Sequence, residues 1–280
     1  LHDALPIWLG KKEDQNGLEA LFDLCFPGET SFTHWFFQKV WKPENTLLCE
    51  EEHIQAMLQL LPVRLRQGKN RGQGLYVYGV GTHPSCRGKG LAGALLEQAR
   101  EKGIEQGIDL LMLIPQEPSL FDYYRRFGYR TAFWVEERQI KARREEEGRL
   151  SAAQPEDLPQ VVELYRKALG SLFSVDRTPE DFATQQELYG DKALVLRRDG
   201  RITAWGCIEP VGEAWRVCEA LGPDALRLAA AALDWVGAEE GLCRLLPQND
   251  PKPFAMALPL TPVGEKLLEQ KAGYCNLLFN

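Results

Sequence analysis

Residues 81–92 read Gly-Thr-His-Pro-Ser-Cys-Arg-Gly-Lys-Gly-Leu-Ala, a run of small residues that ends where an amphipathic stretch begins. Glycines let backbone N–H groups come close to a ligand, and N–H groups at a helix start attract negative charge. Arg87 and Lys89 can add charge-assisted donors. The chemistry that this pattern suits is the holding of an anion, phosphate above all. The plainer reading is a glycine-rich connection with solvated basic residues, and the elements on either side decide between the two.

Those elements fall in a definite order. Leu75 to Val80 is apolar and β-prone and precedes the run. Leu91, Ala92, Leu95, Leu96 and Ala99 recur at helical spacing after it, in a helix that ends near Gly103. Leu110 to Ile114 reads as a buried strand, Leu120 to Phe127 as a short helix ended by Gly128, and Tyr129 to Ile140 as another strand. Upstream, Leu18, Leu21, Phe22 and Cys25 mark a helix stopped by Pro27 and Gly28, and Phe32, Trp35, Phe36 and Val40 mark a second. Asn45 to Glu50 and Ile54 to Leu65 then read as strands turning at Glu51 to His53.

Within this frame Arg87, Gly90 and Ala92 form an RxxGxA loop. Tyr124, Gly128 and Tyr129 form a later YxxxG-aromatic motif. On these residues and the order of elements from Leu18 to Tyr129, the chain resembles the GNAT superfamily of N-acetyltransferases. The resemblance implies an α/β (α+β) fold, a mixed central sheet with flanking helices. It implies acetyl-CoA as co-substrate, wedged where the strands 75–82 and 110–114 splay apart. Backbone groups of Val80, Gly81 and Thr82 would hold the pantetheine arm and polarise the thioester carbonyl. The pyrophosphate would lie on Arg87, Gly88, Lys89, Gly90, Leu91 and Ala92, and Ser119 and Leu120 would touch the cofactor.

Tyr124 would give a proton to the departing thiolate, a transfer about 1.5 pKa units uphill for an ordinary tyrosine. Tyr123 competes for that role, and the spacing to Gly128 favours Tyr124. No carboxylate stands in the strand 75–82 to act as base. In larger relatives of the enhanced-intracellular-survival type, the aminoglycoside acetyltransferases, a terminal carboxylate serves, which makes Asn280 the catalytic candidate here. Glu50, Glu51 and Glu52 read as a solvated acidic turn.

Lys141 to Arg149 is charge-dense and nearly without apolar residues, so the domain boundary is expected there: 8–145 as the acetyl-CoA-binding domain, 150–280 as a second. The second half shows helices at Leu158 to Leu169 and Pro179 to Leu188. A hairpin, Ala193 to Leu196 with Ile202 to Ile208, follows. Then come a strand from Glu213 to Ala220, a helix from Pro223 to Val236, and strands at Leu242 to Leu246, Phe254 to Leu260 and Asn276 to Phe279. It resembles the degenerate GNAT domain of such relatives: at the point corresponding to the loop stand Ala220, Leu221, Gly222, Pro223 and Asp224, an acid where phosphate would lie. It is not expected to bind CoA.

Composition bounds the partners. The chain has 280 residues, 44% hydrophobic and 26% charged, enough for more than one packed core. With 33 Lys+Arg against 40 Asp+Glu the net charge is -7, which disfavours nucleic acid and anionic membrane and modestly favours a cationic acceptor. The seven cysteines are scattered without a CxxC pair and read as reduced thiols of a cytoplasmic protein. The four histidines, His2, His34, His53 and His83, are dispersed, and no metal is expected.

The longest apolar runs are far shorter than the roughly 20 residues of a membrane span. The start lacks a basic n-region, so no signal peptide is expected, and Leu1 to Ile7 are left out of the fold reading. The expected activity is acetyl transfer from acetyl-CoA to a primary amine of a small molecule by direct attack. The alternatives are a tandem acyltransferase like mycothiol synthase and a non-catalytic acetyl-CoA sensor.

Overall fold

The computed structural model describes residues 7–269 and 272–277. Along the chain run β1 (Ile7–Leu9), α1 (Gln15–Cys25), α2 (Thr30–Lys39), β2 (Thr46–Glu50), β3 (Ile54–Gln67), β4 (Asn70–Thr82), α3 (Leu91–Glu105), β5 (Leu110–Leu113), α4 (Pro118–Arg125) and β6 (Arg130–Lys141). Then come β7 (Arg149–Ala152), α5 (Leu158–Leu169), β8 (Phe173–Val175), α6 (Pro179–Tyr189), β9 (Ala193–Arg198), β10 (Arg201–Val211), β11 (Ala214–Leu221), α7 (Ala225–Trp235), β12 (Glu240–Leu245), β13 (Lys252–Pro259), α8 (Pro262–Leu267) and β14 (Gly273–Tyr274). The mixed α/β class that the resemblance implies is the class observed.

Two compact units divide these elements. The first comprises 7–63, 72–130 and 256–266, the second 64–71, 131–255 and 267–277 of the described residues. The chain therefore does not cross once near 145–150, as the charge-dense stretch suggested. In the first unit β1 pairs antiparallel with β2 and β2 with β3, β4 runs parallel to β5, and Met256–Pro259 of β13 closes antiparallel on β5. In the second unit β11 runs parallel to β12, and the strand that closes antiparallel on β12 is β6. Each unit thus takes its closing strand from the other half of the sequence. Each strand carries a continuous apolar run, Ala132 to Val135 in β6 and Phe254 to Leu258 in β13, so either half could bury them, and pattern alone does not assign a partner.

Each unit has its own core. In the first, Leu58, Leu60, Leu75, Val77, Leu95, Leu96, Leu111 and Tyr124 pack together; in the second, Leu194, Ile208, Val217, Leu228, Leu233 and Cys243 do. One strand–helix–strand arrangement occurs in both units: β4–α3–β5 has its counterpart in β11–α7–β12.

Three local expectations change. The strand expected at Asn276 to Phe279 is absent over Asn276 and Leu277, and its remainder lies outside the described residues. The chain pairs earlier, Gly273–Tyr274 lying parallel to Phe173–Ser174, while the Asn276 amide donates to the Cys218 carbonyl at 2.9 Å. β1 begins at Ile7, inside the stretch left out of the sequence reading, and Ile7–Leu9 pairs with Leu47–Cys49. Arg66, whose charge alone would place it in solvent, is buried and donates to the Gly170 carbonyl at 3.0 Å.

Candidate active site

The site begins where β4 leaves β5. Their parallel register runs from Gly74 opposite Leu110 to Tyr76 opposite Met112, and β4 continues to Thr82 after β5 has ended at Leu113. Val77 to Thr82 therefore extend past the paired stretch, the splay that the family resemblance implies. Helix α1 covers this end of β4. A Cβ on Gly79 would stand 2.8 Å from the Phe22 ring and one on Gly81 would stand 3.1 Å from the Cys25 sulfur. Gly79 also has φ +60, a conformation open to glycine and strained for other residues. Both glycines are thus required by geometry, one for its backbone angle and both for the close approach of α1. The Cys25 thiol donates to the Thr82 carbonyl at 3.5 Å; burial pushes its pKa up, partly offset by Arg87. Val80 packs on the core, Gly81 is buried and Thr82 half-buried.

Beyond Thr82 the chain makes a single tight turn at Pro84–Cys86, with Cys86 buried in the core. Arg87, Gly88, Lys89 and Gly90 are exposed. Gly88 and Gly90 both have φ +81, and a Cβ on either would meet open space, so conformation and not crowding selects glycine here. Gly90 is the N-cap of α3 and has no side chain to offer, so the first-turn N–H groups of Leu91, Ala92 and Gly93 are left to an outside acceptor. The Arg87 guanidinium donates to the Thr82 carbonyl at 3.3 Å, which folds it back toward the end of β4. Together these groups form a positively biased cradle at the start of a 15-residue helix, suited to a pyrophosphate.

Helix α4 lies beside that cradle. A Cβ on Gly93, in the first turn of α3, would stand 3.1 Å from the Phe127 ring. Phe127 packs on Tyr123 with ring centres 5.2 Å apart, Tyr123 on Tyr124 at 5.3 Å and Tyr124 on Tyr129 at 6.0 Å. Tyr124 is 8% exposed. Burial, and after it the neighbouring Tyr123, pushes the Tyr124 hydroxyl up to about 12. Burial also raises Tyr123, with Arg126 opposing. Tyr129, behind Tyr124, has a buried hydroxyl without a hydrogen-bond partner, and its pKa is driven well above the ordinary tyrosine value by burial. Ser119 is exposed with its hydroxyl 3.5 Å from Glu117, and Leu120 packs on the core.

The structure therefore brings Val80–Thr82, Arg87–Ala92 and Tyr124 into one unit and onto adjoining elements. Asn280 lies outside the described residues. One side chain was missed by the sequence reading. Asp23 of α1 sits one position past Phe22, and one of its carboxylate oxygens is buried without a hydrogen-bond partner. The helical repeat Leu18, Leu21, Phe22, Cys25 sets it on the flank of the buried stripe, a position that spacing alone does not separate from an ordinary solvated carboxylate.

The corresponding point of the second unit is built differently. Only Gly222 to Asp224 connect β11 to α7, where His83 to Gly90 connect β4 to α3. A Cβ on Gly222 would stand 2.4 Å from the Thr203 carbonyl, so this link is packed down on β10. Asp224 stands at the N-cap of α7, 3.5 Å from Arg198, and Arg227 in the first turn is held by Glu145 and Glu147 at 2.6 and 2.7 Å. Carboxylates occupy the helix start that phosphate would need.

An open parallel strand pair, a glycine cradle at the intervening helix and a tyrosine helix after the second strand define the N-acetyltransferase class of α/β fold. Residues 7–132 match the family model described as an acetyltransferase (GNAT) domain. No curated protein matches the sequence.

Among solved structures, a GCN5-related N-acetyltransferase from Anabaena variabilis is similar with TM-score 0.70 and 17% identity, over 91% of this chain and 73% of that one. A protein of Enterococcus faecalis titled a probable N-acyltransferase is similar with TM-score 0.69 and 14% identity, over 91% and 72%. Eis1 from Mycobacterium abscessus is similar with TM-score 0.63 and 15% identity, over 91% and 74%. At these identities the likeness is one of fold.

Proposed function

We propose that the first unit binds acetyl-CoA and transfers its acetyl group directly to a primary amine of a small molecule. The observation that carries this reading is the cradle Arg87–Ala92 opening α3 beside the free end of β4, with Tyr124 on the adjoining helix. The pyrophosphate takes the unclaimed N–H groups at the start of α3, with Arg87 and Lys89 adding charge. The pantetheine and thioester follow Val80, Gly81 and Thr82, with Ser119 and Leu120 on the cofactor's other side. The acceptor nitrogen attacks the acetyl carbonyl, a tetrahedral intermediate forms, and its collapse breaks the carbon–sulfur bond. The sulfur leaves as thiolate and takes a proton from the Tyr124 hydroxyl.

Against a thiol near 8.5, a donor at about 12 makes full proton transfer uphill by roughly 5 kcal/mol, more than an ordinary tyrosine would require. Transfer is therefore coupled to bond breaking, when charge is gathering on sulfur. Asp23 supplies a carboxylate for the acceptor ammonium, and water carries its proton away. Acidic net charge supports a cationic acceptor and offers nothing to nucleic acid or membrane. All seven cysteines are free, in keeping with a cytoplasmic location, and no helix among the described residues is long and apolar enough to cross a membrane.

The test is release of CoA thiol from acetyl-CoA across a panel of polyamines, aminoglycosides and peptide amines. Thiol release that depends on one class of small primary amine is expected, with Asp23→Asn raising the KM for that amine and leaving the KM for acetyl-CoA in place. Tight acetyl-CoA binding without turnover on any amine would replace the enzyme with a sensor.

A further inference from the structure

His53 is distant in the sequence from the neighbours His83 and Cys86, and the three stand together in the structure. One ligating atom from each lies within 4.8 Å of the other two. The topology brings this about. His53 is in the turn between β2 and β3, and His83 and Cys86 follow β4; the His83 N–H donates to the Gln55 carbonyl at 2.8 Å, which ties the two segments two residues from His53. The histidine rings meet edge to face with centres 5.1 Å apart. Nothing in the acetyl-transfer reading uses any of the three side chains.

From this cluster we infer a binding site for a single borderline transition-metal ion of the zinc class, held by two imidazoles and a thiolate with water in the fourth position. The donor types suit that class, since nitrogen and sulfur together select zinc or cobalt over calcium and magnesium. The supporting contacts suit it too. The Ser85 hydroxyl lies 2.8 Å from His83 Nδ1 and the Ser85 N–H donates to the same nitrogen at 3.3 Å, which fixes the ring; ligation through Nε2 moves the ring proton to Nδ1, which then donates to the Ser85 hydroxyl. Cys86 is buried and set by its turn, while His53 is exposed and able to swing. Around tetrahedral zinc, with bonds of about 2.0–2.3 Å, ligands stand roughly 3.4–3.7 Å apart, so closure requires a movement of about 1 Å.

On binding, the Cys86 thiol loses its proton to solvent as the metal–sulfur bond forms. The Lys89 ammonium is 3.9 Å from that sulfur, and its exposed stem lets it turn outward as the ion enters. This site lies in the loop that leads to the proposed phosphate cradle but does not depend on that reading, because its ligands precede Arg87.

The experiment is titration of the metal-free full chain with cobalt(II), followed by competition with zinc. The expected result is one ion per chain with a thiolate-to-cobalt charge-transfer band and the ligand-field colour of a tetrahedral site. Cys86→Ser abolishes the band, and His53→Ala, at an exposed position that folding does not require, weakens binding by about tenfold or more. Cys25→Ser leaves both unchanged. No cobalt binding, or a band that persists in Cys86→Ser, would overturn the assignment.

Discussion

Tyr124 shows how a residue's neighbours change what its type suggests. An exposed tyrosine titrates near 10 and would begin to lose its transferable proton in mildly alkaline solution. Burial among Tyr123, Phe127 and Tyr129 disfavours the anion and moves the hydroxyl to about 12. The protonated form is the functional one, and raising its pKa keeps it protonated over a wider range. Turnover is therefore expected to show no alkaline loss from this group up to about pH 10, while Tyr124→Phe lowers kcat by about tenfold or more with little change in acetyl-CoA affinity. A pH–rate profile of both proteins checks this. Equal losses in kcat and affinity, or a kcat limb near 10 that the phenylalanine variant removes, would deny Tyr124 the role.

The motif residues around it, Arg87, Gly90, Ala92, Tyr124 and Gly128, were legible because their spacing is local and their neighbours periodic. Asp23 and the His53–His83–Cys86 cluster were not. Each depends on which side chains the sheet brings together, and spacing along the chain does not contain that.

At the scale of elements, helices α1, α3, α5 and α6 and the β9–β10 hairpin fall close to their expected ranges, since each carries its own stripe, cap or turn. β7 and β8 were unreadable, being four and three residues long. The exchange of closing strands was also unreadable, because the continuous apolar runs of β6 and β13 would be buried equally well against either partner.

β11 carries a feature that periodicity alone would call an error. Glu219 is wholly buried, accepting two hydrogen bonds from Arg177 at 2.9 and 2.8 Å and one from Tyr274 at 2.8 Å. Arg177 in turn stacks over the Phe182 ring, 3.9 Å from its centre. Glu219→Gln leaves the buried guanidinium without its counter-charge, so a loss of about 3–5 kcal/mol is expected in urea unfolding. A loss below about 1 kcal/mol would mean that water or Gln185 replaces the carboxylate at little cost.

For the whole molecule, a strand–helix–strand plan occurs twice, with two helix starts of opposite chemistry. One begins at Gly90 with bare N–H groups and flanking Arg87 and Lys89; the other begins at Asp224 on a three-residue link, with Glu145 and Glu147 close to its first turn. A pyrophosphate is attracted to the first and repelled from the second. The most direct test is calorimetric titration of the full chain with acetyl-CoA, beside Gly90→Val, whose branched side chain opposes φ +81 at the cradle. One site per chain is predicted, weakened at least about tenfold in the variant. No binding, two sites, or a single site indifferent to Gly90→Val would contradict the assignment of acetyl-CoA to the first unit.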